Sequence, residues 1–339
     1  MAGSSVLTLD DPRWRTFVER CPDATPFHDP AWSRLLADCY RFEALVVAIE
    51  RDAELAAGLP VLVVRSLRGR TRLTALPFTD ALAPLGDPGL VSDLVSALLD
   101  VQAARGARAS EVRAAVPGGV QTVRGTVHVL PLGPDPDAVR ETFHRSQVQR
   151  GIARAEREGV SVRVAAHPDD LLTVFYELHL ATRRRQGVPI QPRRFFELLW
   201  ERVLSPGGGE LLIAEVGGRA VAAAVFLQRN GRLLYKLGAS DTAAWPVRPN
   251  HAIFWEAVRR GCARGAVELD FGRTELGHEG LRAFKGGWGT VERPLVYTTF
   301  GAEPRLGSGR AHRALAAVIR RTPPGVCRMV GERLYRYAA

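Results

Sequence analysis

The sequence predicts a mixed α/β (α+β) protein, with two tandem copies of one α/β unit followed by a C-terminal helical tail. Three observations carry this. Helical and extended stretches alternate along a chain of 339 residues, which is long for a single core. Two hairpin-like stretches resemble each other at a spacing of about half the chain. The composition, 46% apolar with a mean hydropathy of −0.05, is that of an ordinary globular protein and not of a fibre or a disordered tail.

Taken in order, the first unit opens with a helix over 29–40. A hairpin follows, in which Leu45-Val46-Val47-Ala48-Ile49-Glu50 leads through a polar turn to Leu55-Ala56-Ala57-Gly58-Leu59-Pro60-Val61-Leu62-Val63-Val64. Next come a helix over 90–105 and a strand over 125–132. Pro134 and Pro136 mark a boundary near Asp135, and Gly159 ends a helix over 137–158. The second unit continues with a strand over 160–165 and helices over 169–186 and 193–204. Its own hairpin is Leu211-Leu212-Ile213-Ala214-Glu215-Val216, a Gly217-Gly218 turn, and Ala220 to Leu227. A strand over 232–237, a helix over 250–264 and strands over 267–271 and 291–300 complete it. Pro323-Pro324-Gly325 divides the tail into two short helices, the first over 310–321. The expected domains are 1–135, 136–300 and a basic tail, 301–339.

The net charge of +10 favours an anionic partner: RNA, a phosphorylated substrate or an acidic membrane surface. Eight arginines against two glutamates lie in 301–339, and further arginines cluster at 140–157 and 183–194. Four cysteines show no metal-ligand or CxxC spacing, as expected of thiols in a reducing cytoplasm. No apolar run is long enough to span a bilayer, and the first residues do not read as a secretory signal. The expected location is the cytoplasm, with peripheral contact at the inner membrane face left open.

Only two lysines occur, Lys236 and Lys285, against 44 arginines. A lysine retained in such a chain marks a place where a compact point charge serves and a planar fork does not. Lys285 sits in the densest cluster of glycine and aromatic residues, Phe284-Lys285-Gly286-Gly287-Trp288-Gly289. There it is a candidate for stabilising a developing negative oxygen.

This cluster belongs to an ordered series: Gly238-Ala239-Ser240, Pro249-Asn250, Asp270-Phe271-Gly272-Arg273-Thr274 and Phe284 to Gly289. Upstream lie Pro26-Phe27-His28-Asp29-Pro30-Ala31-Trp32, Leu76-Pro77-Phe78-Thr79-Asp80 and Arg154-Ala155-Glu156-Arg157-Glu158-Gly159-Val160. The series resembles the Fem-type aminoacyltransferases, the FemABX-like branch of the GNAT acyltransferase superfamily. The resemblance implies two tandem GNAT-like domains and transfer of an aminoacyl group from aminoacyl-tRNA to an amine, in the best-known members an amine of a peptidoglycan precursor. It puts the catalytic pair on Phe284 and Lys285, and a phosphate-holding basic residue on Arg34. Asp80, Tyr235, Lys236, Ser240, Asn250, Arg273 and Trp288 are the further substrate-binding candidates. Arg273, with Asp270, also reads as fixing a strand end.

No resident cofactor or metal is expected; aminoacyl-tRNA is the co-substrate. The alternative is an acyl-CoA-dependent GNAT N-acyltransferase acting on an amine of a polysaccharide or natural product. The pyrophosphate loop of such enzymes begins well at Arg184-Arg185-Gln186-Gly187 but ends on Pro189, which has no amide hydrogen to offer. Walker A, GxGxxG, HExxH and GxSxG motifs are all missing. His28, His251 and His278 are each possible bases, though a lone histidine more often serves as a structural hydrogen-bonding group.

Overall fold

The computed structural model describes residues 3–67, 69–302 and 309–338. Their contacts divide into two compact units. The first comprises residues up to 125, with 294–306 and 336–339; the second comprises 126–293 and 307–335.

The first unit is built on the strands β1 (Gly3–Leu7), β2 (Glu43–Arg51), β3 (Glu54–Arg65), β4 (Thr71–Thr74), β5 (Leu85–Gly86) and β6 (Ala109–Val112). Its sheet order is β1-β2-β3-β4-β6, and β5 pairs with part of β3. Neighbours are antiparallel except β4 and β6, which are parallel. Helix α1 (Pro12–Arg20) buries Trp14, Phe17 and Val18 against Val46, Ala48 and Leu55. Helix α2 (Pro30–Tyr40) starts where the Asp29 carboxylate accepts the Ala31 amide, and it stops at Arg41 in a left-handed conformation. Helix α3 (Val91–Ala104) provides the crossover between the parallel strands.

Strand β7 (Val120–Pro131) leads on to α4 (Pro136–Glu141), α5 (Arg150–Arg157), β8 (Ser161–Val164), α6 (Tyr176–Gln186) and α7 (Arg193–Leu199). Strands β9 (Gly209–Val216), β10 (Arg219–Arg229) and β11 (Arg232–Ser240) follow, then α8 (Pro249–Ala263), β12 (Glu268–Thr274), α9 (Glu279–Gly286) and β13 (Val291–Gly301). The second unit has the sheet order β8-β9-β10-β11-β12-β7. Again one neighbouring pair, β11 and β12, is parallel, and again a helix, α8, makes the crossover. Both units thus follow one plan, the duplication that the paired hairpins predict. The sixth strand of each plan comes from the other half of the sequence. β13 pairs with β6 through Thr298↔Val112, while β7 pairs with β12 through Leu130↔Leu269.

In the second unit Leu212, Ala214, Ala222, Ala224 and Phe226 point to a core shared with Val139, Phe143, Ile152, Ile253, Phe254 and Phe271. The alternate residues of β10 and β11 face the side where α6 packs. The helix expected over 137–158 is interrupted. After α4 the chain turns at Thr142-Phe143-His144, and a wide π-type turn over Arg145–Gln149 restarts it. The Gln149 side-chain amide bridges this break by donating to the carbonyls of Arg140 and Phe143. Similar π-type turns precede α6 (Asp170–Phe175) and follow α7 (Trp200–Leu204). The tail forms α10 (Gly309–Arg321) and α11 (Pro324–Leu334), both against α6. No helix among the described residues is long and apolar enough to cross a membrane.

Candidate active site

Parallel strands β11 and β12 pair over only three positions, Arg232–Leu234 with Glu268–Asp270. Each strand then carries an irregularity. On β11 the register against β10 slips between Leu237 and Tyr235, so Lys236 is the extra residue of a bulge. The slip puts Tyr235 and Gly238 on one face. The Tyr235 hydroxyl fills the space over Gly238, 1.8 Å from where a Cβ would stand, so only glycine fits there. On β12, Asp270 pairs with Val129 and Arg273 with Val127, leaving Phe271 and Gly272 opposite the single residue His128. Gly272 takes φ +70°, and its amide, released from the ladder, donates to the Asp270 carboxylate at 2.7 Å.

This bulge builds the lysine site. Lys285 lies in the last turn of α9, with its side chain 3% exposed. Its ammonium donates to the carbonyl oxygens of Gly272 at 2.7 Å and Arg273 at 3.0 Å. The charge is therefore held by backbone dipoles at the free end of β12. Arg273 itself is half-buried and pairs with Glu275 at 3.7 Å. Phe284 packs edge-on to His251 at 5.5 Å and Trp288 at 6.3 Å. Trp288 is wholly buried, 5.0 Å from Phe143 and 5.8 Å from Phe271, and it forms the floor of this cluster. Burial, reinforced by Arg248, pushes His251 down to about 4, so it is neutral at pH 7. Tyr235 packs at a tilt against Phe254, ring centroids 4.9 Å apart, and burial raises its hydroxyl to about 12.

The other candidates fall in different surroundings. Asn250 stands half-buried in the first turn of α8, behind Pro249. Ser240 ends β11 facing α6. Its amide donates to Thr182 Oγ1 at 3.1 Å, and its hydroxyl accepts from Trp245 Nε1 at 3.0 Å. A cavity of about 600 Å³ opens beside it, lined by Glu177, Arg185, Arg219, Asp241 and Thr242 among others. Arg34 and Asp80 belong to the first unit. There Arg34 pairs with Asp10, and the Asp80 carbonyl accepts the Tyr297 hydroxyl at 2.7 Å. Leu76 and Phe78, with φ of 50° and 62°, strain the loop before Asp80. Trp32 Nε1, donating to Thr79 Oγ1 at 3.0 Å, and Arg113, donating to the Thr79 carbonyl, help hold it.

Sequence reasoning missed His128. It is 1% exposed, opposite the β12 bulge, with Glu292 at 3.8 Å from Nε2 and Thr290 Oγ1 at 3.4 Å from Nδ1. Burial and then the nearby Lys285 charge lower its pKa. A single histidine within a strand carries no motif, and only the pairing of β7 with β12 reveals its neighbours. Among the described residues no group of three or more His, Cys, Asp or Glu is arranged to hold a metal ion.

The model of the acetyltransferase (GNAT) domain matches residues 142–285, ending on Lys285. No curated protein matches the sequence. Among solved structures, FemX is similar with a TM-score of 0.72 at 14% identity, over 92% of this chain and 100% of that one. L-PGS from Bacillus licheniformis is similar with a TM-score of 0.58 at 15% identity, covering 93% and 99%. A tandem GNAT protein from the clavulanic acid biosynthesis pathway gives 0.52 at 12%, covering 90% and 100%. Residues 142–285 thus carry an acetyltransferase (GNAT) domain, which marks this chain as an acyltransferase, and the chain as a whole has the duplicated fold seen in FemX.

Proposed function

We propose that this chain transfers an aminoacyl group from aminoacyl-tRNA to an amine of a peptidoglycan precursor or a related small acceptor, and that it works in the cytoplasm, where charged tRNA is found. The observation that carries the reading is the buried Lys285 ammonium, fixed by two carbonyls where β11 and β12 part. The neutral amine attacks the ester carbonyl, forming a C–N bond and a tetrahedral species with negative charge on oxygen. The C–O bond to the ribose then breaks, and the proton lost by the amine balances the alkoxide that leaves. A cation already oriented, in surroundings poor in water, stabilises that oxygen more than it stabilises the ester. Phe284 keeps water from the site by packing over His251 and Trp288. Surface arginines, including Arg145, Arg150 and Arg154, supply the attraction for phosphates.

A second reading, acyl transfer from acyl-CoA to a polysaccharide or natural-product amine, draws support from the match to an acetyltransferase domain. One experiment separates the two. The protein is incubated with an amine acceptor and either tRNA charged with a radiolabelled amino acid or labelled acyl-CoA. Amine-dependent loss of the tRNA ester is the expected result. Consumption of acyl-CoA with charged tRNA left intact would overturn the aminoacyl reading.

A further inference from the structure

We propose that the outer side of the tail helices α10 and α11 is a docking surface for anionic lipid. Both helices pack on α6 by one side only. Ile319 and Cys327 are fully buried there, and Gly331 approaches the Ile190 carbonyl so closely that a Cβ would stand 2.0 Å from its oxygen. Val326 and Val330 are half-buried, but four large apolar residues are uncovered: Leu315 is 37% exposed, Val318 49%, Met329 48% and Leu334 43%. On α10, Leu315 and Val318 are three residues apart and form one stripe beside the packed position Ile319. The apolar face of this helix is thus wider than α6 covers.

The charge around the stripe selects the partner. Residues 309–335 hold six arginines and one glutamate. That glutamate, Glu332, is occupied, accepting the Arg193 amide at 2.8 Å. Arg313, Arg321 and Arg333 are exposed and form no ion pair among the described residues. Exposed aliphatic side chains interleaved with arginines match the boundary between headgroups and acyl chains, where the stripe inserts and the arginines meet phosphate. An RNA backbone would use the arginines and leave the aliphatic groups in water. The surface therefore fits a phosphatidylglycerol-type bilayer better than a nucleic acid.

The full chain is sedimented with vesicles of phosphatidylcholine alone and of phosphatidylcholine with about 30% phosphatidylglycerol. Retention should be at least about tenfold greater on the anionic vesicles, and it should fall at high salt. Leu315→Glu with Val318→Glu, both at exposed positions, should abolish that preference without lowering the melting temperature. Arg313→Gln with Arg321→Gln should reduce it about tenfold or more. Equal retention on both vesicle types would overturn the proposal, as would an unchanged preference in the Leu315/Val318 variant. So would loss of tRNA binding, with vesicle binding intact, in the arginine variant. Vesicle retention needs no acyl donor, so these outcomes are independent of which group the enzyme transfers.

Discussion

Lys285 has two duties that separate by measurement. Its ammonium satisfies the carbonyls of Gly272 and Arg273, and in the proposed reaction it also stabilises the oxyanion. Removing a buried donor leaves acceptors unpaired at a cost of about 1–3 kcal/mol in stability. Removing an oxyanion-stabilising group costs about a hundredfold or more in turnover. Lys285→Ala should therefore lose turnover by at least that factor with KM little changed, even at temperatures where the variant is fully folded by circular dichroism. Lys285→Arg should recover little, because a planar guanidinium does not fit a pocket shaped for a point charge. Near-wild-type turnover in the alanine variant would remove Lys285 from the mechanism and leave it the structural duty alone.

At the scale of elements, the contact between α5 and α8 makes the sharpest test of packing. Gly151 in α5 lies against the His251 ring, and a Cβ there would stand 2.5 Å from Cδ2 and 2.8 Å from Nε2. In an open helix, Gly→Ala stabilises by about 0.5–1 kcal/mol. Here the ring is buried and cannot swing away, and overpacking costs about 1–3 kcal/mol. Gly151→Ala should lower the melting temperature, and His251→Ala in the same chain should relieve part of the loss. A melting temperature raised by Gly151→Ala alone would mean that α5 moves freely against α8. The β12 bulge is a second such element. It frees the carbonyls that hold Lys285, so the regularity lost from the ladder becomes the geometry of the site.

At the scale of the whole molecule, charge and titration are the levers. His179 and His251 are each held near 4 by burial, with Arg183 adding to the effect at His179 and Arg248 at His251. Their unfolded values lie near 6.5, so below that pH the unfolded chain binds protons that the folded chain refuses. Stability from these two groups is fully present above about pH 6.5. It falls by roughly 1.4 kcal/mol per pH unit for each histidine down to about pH 4. Melting temperatures recorded from pH 7.5 to 4.5 should decline across that window, and His179→Gln should flatten the slope; an equal slope in the variant would show that other groups carry it. The +10 charge makes a separate prediction for the proposed tRNA partner. Its affinity should drop steeply between about 50 and 200 mM salt as phosphates release counterions. A flat salt response would point to a small phosphorylated substrate instead.

Periodicity, prolines and the Gly-aromatic cluster were enough to read the alternating α/β plan, its duplication and the two-helix tail, because these depend on local apolar spacing and backbone restriction. The rarity of lysine singled out Lys285 for the same kind of reason: the choice of ammonium over guanidinium is a property of one residue. Asp270, Gly272 and Arg273 were visible as a strand end but not as a lysine cradle. Their roles follow from a bulge that exists only when β12 pairs with β7, a strand about 140 positions away in the chain. The same holds for His128, for the Tyr235 hydroxyl over Gly238, and for the exchange of β7 and β13 into the two sheet plans. Each depends on register between segments far apart in sequence, and strand pairing is decided by tertiary burial and ladder hydrogen bonds, which local sequence does not encode.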